Sequence, residues 1–507
     1  MSKDNPNGSG NENGADGELK FEIGETIAGF KLVNKIDEGG FGQVFKVTKD
    51  DKTFYAMKIE NSAMEGGSAI KLEINVLTQL NHESVFPKFI IGGRRARYQY
   101  IVLELLGDNL RMLKARSIHP DCWSDGTWSR LAIQCLYALK KMHDNGFVHR
   151  DIKPNNFAVG MDSDGQNRSR VVLLFDFGLA RKFINHKTED KNKEAASSKP
   201  EKSPGDSLFS KNNNTKQSKL VKKKGTKLDK KAGGNGFANK KRGSIMTKGE
   251  STRTAEDKEK ESARALNDKF KFRIARPHTD FRGTFQYASA NAHEQLELGR
   301  ADDIWSLMYM VVEMFTELPW ANQDTFPVED LKNQATLLRL FTDSKNPNRL
   351  TAKMNEQLEA IEKMLKGCNY YSFPNYEIIH QFFKDVMTKS KVSWNSPFDW
   401  EKTGNVEEFS KDQRNKKPVK VPQWEAPGDY FKQDPWSTLK RPNYSPSTTS
   451  QHPIPNRSKK GQIREKTVLS KEDPSQAEDA ISLKKIPSDV QAPTNVLRNS
   501  REKPPNA

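Results

Sequence analysis

The stretch VHRDIKPNNFAVG, residues 148–160, decides how the rest of the sequence is interpreted. It crowds a histidine, an arginine, an aspartate, a lysine and two asparagines between a predicted apolar helix and a predicted apolar strand. Polar groups that are buried together must satisfy one another by hydrogen bonds, and such clusters are common where a protein performs chemistry. The stretch therefore predicts a functional loop.

Phosphoryl transfer uses this set of side chains. The reaction needs an oriented hydroxyl, neutralised phosphate charge and a bound metal ion rather than covalent help from the protein. Asp151 can accept the proton of the attacking hydroxyl, and Lys153 can reach the transferred phosphate. Asn156, together with Asp176 of the downstream DFG, can supply the oxygen ligands that magnesium prefers.

The predicted nucleotide-binding half lies upstream. IDEGGFGQV, residues 36–44, lies between two predicted strands, and its glycines would let backbone amides approach phosphate oxygens. Lys58 ends YAMK on the next strand and can hold phosphates. Glu73 lies on the apolar face of a predicted helix, where a charge needs a partner, and Lys58 is the candidate. LELLG, residues 103–107, could present backbone groups to an adenine edge.

Each of these pieces has an ordinary structural explanation when it is taken alone. A glycine loop between strands is often a simple hairpin, DFG is often a turn, and a helical glutamate is often exposed. The order, the spacing and the secondary-structure context of all the pieces together favour a kinase.

Together these residues resemble the eukaryotic protein kinase fold over roughly residues 25–402. Ser289, Ala290 and Asn291 stand where most kinases have Ala-Pro-Glu, which is similar to the casein kinase 1 superfamily. HRDIKPNNFAVG, GRADDIWSL and SPFDWEK look most like the tau-tubulin kinase branch. The resemblance implies an α+β, bilobal fold with a small β-rich N-lobe and a larger helical C-lobe. It also implies a serine/threonine protein kinase that uses ATP and Mg²⁺.

By the same match, Asp151 is the catalytic base, and Thr284 is expected to contact Asp151 and Lys153 near the phosphoacceptor. Asp303 is expected to anchor the catalytic loop from a buried helix. The two metal ligands keep the roles proposed above. The candidate nucleotide-binding residues are Ile36, Asp37, Glu38, Gly39, Gly40, Phe41, Gly42, Gln43, Val44, Ala56, Lys58, Glu73, Glu104 and Leu106.

The sequence departs from the family pattern in two places. Asp37 replaces the first glycine of the phosphate loop, and an inward-pointing carboxylate would repel ATP phosphates. The second departure is an insertion at 186–270, inside the activation segment. Its Lys-rich composition without apolar periodicity predicts a disordered basic insertion within a kinase domain at 26–402. Residues 1–25 and 403–507 are likewise predicted to be disordered.

The charge of the chain points to the predicted partners. Residues 181–270 hold 25 lysines and arginines against 12 aspartates and glutamates, a net of +13 out of a formal +17. One explanation is a solvated loop that the fold tolerates. The other is an electrostatic arm for acidic peptides, tubulin tails, nucleic acid or a membrane surface, although few aromatics are present to stack on bases. Arg273, Arg276 and Arg282 could bind a phosphate already carried by the substrate.

The remaining expectations concern substrate, compartment and regulation. We expect substrates to be proteins with serine or threonine, acidic, primed or cytoskeletal, and the chain to act as a monomer. Three scattered cysteines and an N-terminus without an apolar signal core indicate the cytoplasm, and basic runs resemble a nuclear signal. No serine or threonine stands out between Ala180 and Gly283, and the resemblance implies activity without an activation-segment phosphate. The alternative is a pseudokinase scaffold that binds acidic partners through its insertion, which Asp37 favours.

Overall fold

The computed structural model describes residues 20–39, 42–62, 69–161, 168–187, 255–323, 325–342, 349–401 and 429–444. All of them belong to one unit of the chain, Met1–Tyr444. The disorder predicted for 1–19, 188–254, 403–428 and 445–507 concerns segments outside the described residues.

Alternating apolar residues build an antiparallel six-stranded sheet in the N-terminal lobe, with strand order β1-β2-β3-β4-β6-β5. Phe45 and Val47 on one strand, and Met57 and Ile59 on the next, are buried on the same face, as the two-residue period of a strand requires. The strands are β1 (Thr26–Ile27), β2 (Phe30–Gly39), β3 (Gly42–Thr48), β4 (Phe54–Asn61), β5 (Phe89–Arg94) and β6 (Tyr98–Glu104). One helix, α1 (Ala69–Leu80), packs beside β5 and β6.

The C-terminal lobe is mainly helical and is centred on a long buried helix that ends before Gly146, whose φ of +82° suits glycine. The helices of this lobe are α2 (Leu110–Arg116), α3 (Asp125–Asp144), α4 (Ala255–Lys269), α5 (Ala290–His293), α6 (Arg300–Glu313), α7 (Thr325–Gln334), α8 (Leu337–Thr342), α9 (Ala352–Lys366) and α10 (Tyr376–Lys389). None of the helices in the described ranges is long and apolar enough to cross a membrane.

Three short antiparallel strand pairs frame the loops between the two lobes. They join β7 (Phe147–Val148) to β10 (Arg181–Lys182), β8 (Phe157–Val159) to β9 (Val172–Leu174), and β11 (Ile184–His186) to β12 (Phe270–Phe272). The first two pairs fix the ends of the 148–160 loop and of the DFG segment. The α+β, two-lobed architecture expected from the sequence is therefore confirmed.

Three of the predicted disordered segments are wrong in part. Phe21 packs edge-on against Phe45 and Tyr98, so residues 20–25 belong to the N-lobe. The predicted insertion contains the helix α4 and ends in the strand β12. Residues 429–444 of the predicted tail pack on the C-lobe and bury Phe431, Trp436 and Leu439. In each case a few apolar residues in a polar background anchor the segment, and average composition hides them.

Candidate active site

A lysine between two carboxylates joins the two lobes. Lys58 Nζ lies 3.2 Å from Glu73 Oε2 and 3.0 Å from Asp176 Oδ1. Glu73 is buried on α1, and its other oxygen accepts the backbone N–H of Phe177 at 3.3 Å. The Phe177 ring is itself buried and packs edge-on against Phe86. The pairing of Lys58 with Glu73 expected from the sequence is present, and it fixes α1 to the DFG segment.

The electrostatics of this group keep the lysine charged. Burial alone would lower the pKa of Lys58, but the carboxylates of Glu73 and Asp176 raise it above its usual value. Burial would raise the pKa of Asp176, yet the attraction of Lys58 holds it low. Burial raises the pKa of Glu73, and Lys58 opposes that shift. A protonated Lys58 beside an ionised Asp176 can therefore serve phosphate and metal on the same side of the cleft.

The catalytic-loop candidates meet around one carboxylate. Thr284 Oγ1 donates to Asp151 Oδ1 at 2.8 Å, and Lys153 Nζ donates to Asp151 Oδ2 at 2.7 Å. Lys153 Nζ also lies 3.3 Å from Thr284 Oγ1, and Asn156 Nδ2 donates to the backbone carbonyl of Asp151 at 2.8 Å. The orientation of the Asp151 side chain is thus fixed by the hydroxyl of Thr284, which is far away in sequence, and by the ammonium group of Lys153 on the same loop.

A buried aspartate holds this loop from below. The backbone amides of His149 and Arg150 donate to the two oxygens of Asp303 at 2.7 and 2.8 Å. These bonds hold Arg150 at a φ of +70°, a left-handed conformation that non-glycine residues seldom adopt. Hydrogen bonds to a charged group contribute about 1.5–3 kcal/mol each, enough to offset that strain. The contacts match the anchoring role expected for Asp303.

His143 of α3 completes the support of Asp303. Burial lowers the pKa of His143, so the ring is neutral. Its Nε2–H donates to Asp303 Oδ2 at 3.0 Å, because a carboxylate only accepts, and its Nδ1 accepts the hydroxyl of Tyr376 at 2.6 Å. The catalytic loop is therefore fixed through Asp303 to two helices of the C-lobe core.

The two metal-ligand candidates lie next to each other. The backbone N–H of Phe175 donates to the carbonyl of Asn156 at 3.0 Å, which brings Asn156 beside Asp176. Within the described residues, no donor bonds to Asn156 Oδ1 or to Asp176 Oδ2. Two free oxygens of this type fit a hard divalent cation. No cluster of three His, Cys, Asp or Glu side chains that could hold a metal occurs elsewhere in the described part of the chain.

Asp37 of the phosphate loop is exposed. Its Oδ1 accepts the backbone N–H of Glu38 at 2.8 Å, and Glu38 in turn bonds to Lys35 and Gln43 on the surface of the hairpin. Gly42 has a φ of +123°, and a Cβ there would lie 2.0 Å from the carbonyl oxygen of Ile59, so only glycine fits. Two residues of the predicted loop, Gly40 and Phe41, lie outside the described residues.

The other candidate nucleotide-binding residues differ in their burial and in their contacts. Glu104 uses its side chain structurally, since it accepts the backbone N–H of Lys88 at 3.1 Å and forms an ion pair with Arg168. Leu106 is half-buried, and Ala56 lies on β4, paired with the strand that leads to Leu106. The half-buried Val44 lies on β3, and Gly39 ends β2, whereas Ile36 is 49% exposed.

Comparison with known proteins agrees with this geometry. Residues 30–200 match the family model described as "Protein kinase domain". Residues 30–200 therefore carry a protein kinase domain. Its relatives are named as serine/threonine, tau-tubulin and casein I kinases, which is consistent with a kinase like those of the casein kinase 1 and tau-tubulin kinase groups. The family implies the use of ATP with a divalent metal and of protein substrates.

Three relatives from Caenorhabditis elegans illustrate the similarity. "Putative serine/threonine-protein kinase K06H7.1" is 28% identical, over 76% of this kinase and 86% of its own length. "Inactive tau-tubulin kinase ttbk-6" is 28% identical, over 72% and 94%. "Putative casein kinase I C03C10.2" is 26% identical, over 72% and 81%.

The motif Ser289-Ala290-Asn291 forms hydrogen bonds to the buried carboxylate of Asp302. Ser289 Oγ and Asn291 Nδ2 donate to Asp302 Oδ1 at 2.7 and 2.9 Å, and the N–H of Gly299 donates to Asp302 Oδ2 at 2.7 Å. Burial raises the pKa of Asp302 to about 6, even though these three donors favour the ionised form. The motif therefore fixes the end of the activation segment to the start of α6.

A buried lysine that sequence reasoning missed holds the segment after Thr284. Lys332 of α7 donates to the carbonyls of Phe285 and Ala288 at 2.6 and 2.7 Å, and its Nζ lies 3.2 Å from His293 Nε2. No carboxylate of the described residues lies within ion-pair distance of it. Burial lowers the pKa of Lys332 to about 7. A lysine on an amphipathic helix gives no sequence signal that separates this role from an ordinary surface charge.

The three arginines predicted to bind a phosphate on the substrate differ in their exposure and in their ion pairs. Arg276 forms an ion pair with Glu297 at 2.5 Å, and Arg181 reaches the same buried carboxylate at 2.8 Å. Arg273 is half-buried, and Arg282 is exposed next to Gly283. Glu297 thus neutralises part of the positive charge in this region of the kinase.

Proposed function

We propose that the chain is an active serine/threonine protein kinase that transfers the γ-phosphate of ATP, with Mg²⁺, to protein hydroxyls in intracellular signalling. One observation carries the proposal: the Asp151 carboxylate is held by Thr284 and Lys153 in the same structure in which Lys58 pairs with Glu73. Positioning and charge neutralisation are most of what this reaction asks of a protein.

Each side chain has one task in this proposal. Asp151 orients the substrate hydroxyl and accepts its proton, and the ammonium of Lys153 neutralises charge on the phosphoryl group. Lys58 holds the nucleotide phosphates. Asn156 and Asp176 would hold the magnesium ion, which when bound neutralises charge on the phosphates.

The alternative is a kinase-fold scaffold that lacks catalysis. Two observations favour it, namely the relative that is named inactive and the aspartate at position 37. The second observation is weakened by the exposure of Asp37, because solvent screens its charge, and by the bond that its carboxylate accepts from a backbone amide of its own loop. The intact set of charged residues around Lys58 and Asp151 favours the active enzyme.

The decisive experiment compares phosphate incorporation into a mixed peptide library by wild type and by Asp151→Asn. We expect the variant to lose about 10²–10⁴-fold in kcat, because an amide does not accept the proton. Asp51→Asn is the matched control: Asp51 is 75% exposed, and asparagine tolerates its φ of +55°. Equal incorporation by wild type and Asp151→Asn would refute the proposal and favour the scaffold.

We also propose a substrate class and a location. The basic insertion favours acidic substrates, and the arginines before Gly283 favour primed ones. We propose cytoskeletal proteins among the substrates, a monomeric enzyme, and the cytoplasm and nucleus as its compartments. A peptide library in which acidic or phosphorylated residues are varied around one serine tests the preference for acidic and primed substrates. Equal rates for acidic, primed and basic peptides would contradict it.

A further inference from the structure

Residues 429–444, here called the C-terminal clasp, contact the core of the C-lobe at buried polar groups. Asp434 forms an ion pair with Arg300 of α6 at 3.0 Å, and the two side chains are only 6% and 2% exposed. Lys140 of α3, whose side chain is fully buried, donates to the carbonyl of Gln433 at 2.9 Å. Buried charges need partners, so the clasp satisfies groups that the C-lobe would otherwise leave in an apolar environment.

One aromatic residue of the clasp reaches the support of the catalytic loop. The indole N–H of Trp436 donates to the carbonyl of His143 at 3.2 Å. His143 is the residue whose ring donates to Asp303, and Asp303 holds the amides of His149 and Arg150. A continuous series of hydrogen bonds therefore runs from the clasp to the loop that carries Asp151.

The clasp also holds the described ends of the insertion. Trp436 packs edge-on against Phe270 at the start of β12. Asn267 of α4 donates to the carbonyl of Thr438 at 2.8 Å and accepts the N–H of Lys440 at 3.0 Å. Trp436 and Phe270 lie in one small hydrophobic cluster, separate from the main core, whose buried members are Val148, Phe183, Ile184, Phe272, Tyr370, Tyr371, Trp436 and Leu439.

We infer that the C-terminal clasp is a positioning element of the catalytic domain, in which Trp436 fixes both the base of the catalytic loop and the β11–β12 pair. The effect on turnover rests on the proposed kinase function, whereas the effect on local order does not. Trp436 touches no reacting group, so its influence passes through His143 and Asp303. The kinase domain therefore includes residues 429–444, beyond the boundary predicted at 402.

The test is amide hydrogen exchange and steady-state kinetics on the full chain carrying Trp436→Ala. We expect exchange to become at least about tenfold faster at residues 147–150, 183–186 and 270–272, with unchanged exchange in the N-lobe sheet. We expect kcat to fall about tenfold with KM for ATP unchanged, since the loop is displaced but the nucleotide site is not. Trp436→Phe keeps an aromatic ring but lacks the indole N–H. Its exchange rates and its kcat should lie between those of wild type and Trp436→Ala.

Two further variants keep the inference falsifiable. Lys432→Ala removes a clasp side chain that is 52% exposed, and it should match wild type in exchange and in kcat. Asn267→Ala removes two hydrogen bonds at the surface and should loosen residues 266–272 even if Trp436→Ala fails to fold. Wild-type exchange in a folded Trp436→Ala, or in Asn267→Ala, would overturn the inference. Faster exchange in a protein whose wild type transfers no phosphate would instead refute the proposed function alone.

Discussion

The catalytic loop and the C-terminal clasp are both irregular segments that pack on the same helical lobe, yet they differ in how their sequences encode that packing. The loop at 148–160 concentrates its polar residues, and nearly all of them bond within the loop or to the DFG segment beside it. The clasp spreads three buried anchors, Phe431, Trp436 and Leu439, through a polar background. Its partners lie far away in sequence.

The contrast between the two segments shows where sequence patterns are informative. A dense local cluster of polar residues carries its own explanation, because the chemistry and the hydrogen bonds are satisfied nearby. Sparse anchors become meaningful only against a surface that is already folded, such as the face formed by His143, Arg300 and Phe270. Variants of the two kinds of site should therefore differ in how they change activity and the free energy of unfolding.

We expect the largest effect from Asp303→Asn, because Asp303 holds the catalytic loop directly and is linked to the clasp through His143. An asparagine offers one acceptor oxygen to amides that now use two, and its NH₂ would face donors. We expect the free energy of unfolding to fall by about 3–5 kcal/mol, as for other broken buried charge networks. Urea unfolding measures it, with Asp51→Asn as the control, because the Asp51 side chain is 75% exposed. A loss below about 1 kcal/mol would contradict the shared anchor.

The charged group that faces the catalytic loop from the N-lobe can be tested by itself with Lys58→Met. Removing a preorganised charge should lower kcat/KM about 10²–10³-fold. The buried Glu73 then lacks its partner, so the double variant Lys58→Met/Glu73→Gln should recover stability but not activity. Steady-state kinetics and thermal unfolding of both variants check this. Recovery of activity in the double variant would show that the lysine has no role in transfer.

Lys332 is an anchor of the sparse kind and gives a pH test. Its folded pKa of about 7 lies below its unfolded value of about 10.5, so the unfolded chain binds more protons between those values. Its contribution to stability is therefore most favourable above pH 10.5 and is lost as the pH falls toward 7. From pH 7.5 to 8.5, wild type should gain about 1 kcal/mol over Lys332→Met. Urea unfolding at both pH values measures the difference, and a constant difference would contradict it.

The smallest effect is expected in the phosphate loop, where Asp37 replaces the first glycine of the family pattern. Asp37→Gly restores the glycine, but the Asp37 carboxylate is exposed and screened by solvent. We expect KM for ATP to change by about threefold or less, which corresponds to at most about 0.7 kcal/mol. Initial rates at varied ATP measure it. A tenfold or larger fall in KM would mean that Asp37 turns toward the phosphates in solution.

The sequence was sufficient for the two-lobed fold, because strands of period two and one long amphipathic helix need only local patterns. It was also sufficient for the residues around Asp151 and Lys58, which stand in order along recognisable elements. It was insufficient for Trp436 and Lys332, whose roles depend on partners that are brought together only by the folded lobe. Composition also misplaced the ends of the ordered chain, since a polar segment with two or three well-placed aromatics resembles a disordered one.

We propose that the unmodified chain folds with its transfer site already assembled, and one measurement tests this directly. The full chain is treated with phosphatase, shown by mass spectrometry to carry no phosphate, and followed from the first turnover with ATP and a peptide substrate. We predict a linear progress curve whose rate equals that of the untreated enzyme, because Lys58, Glu73 and Asp151 already make their contacts. A lag that disappears after preincubation with ATP, or a treated enzyme without activity, would contradict the claim.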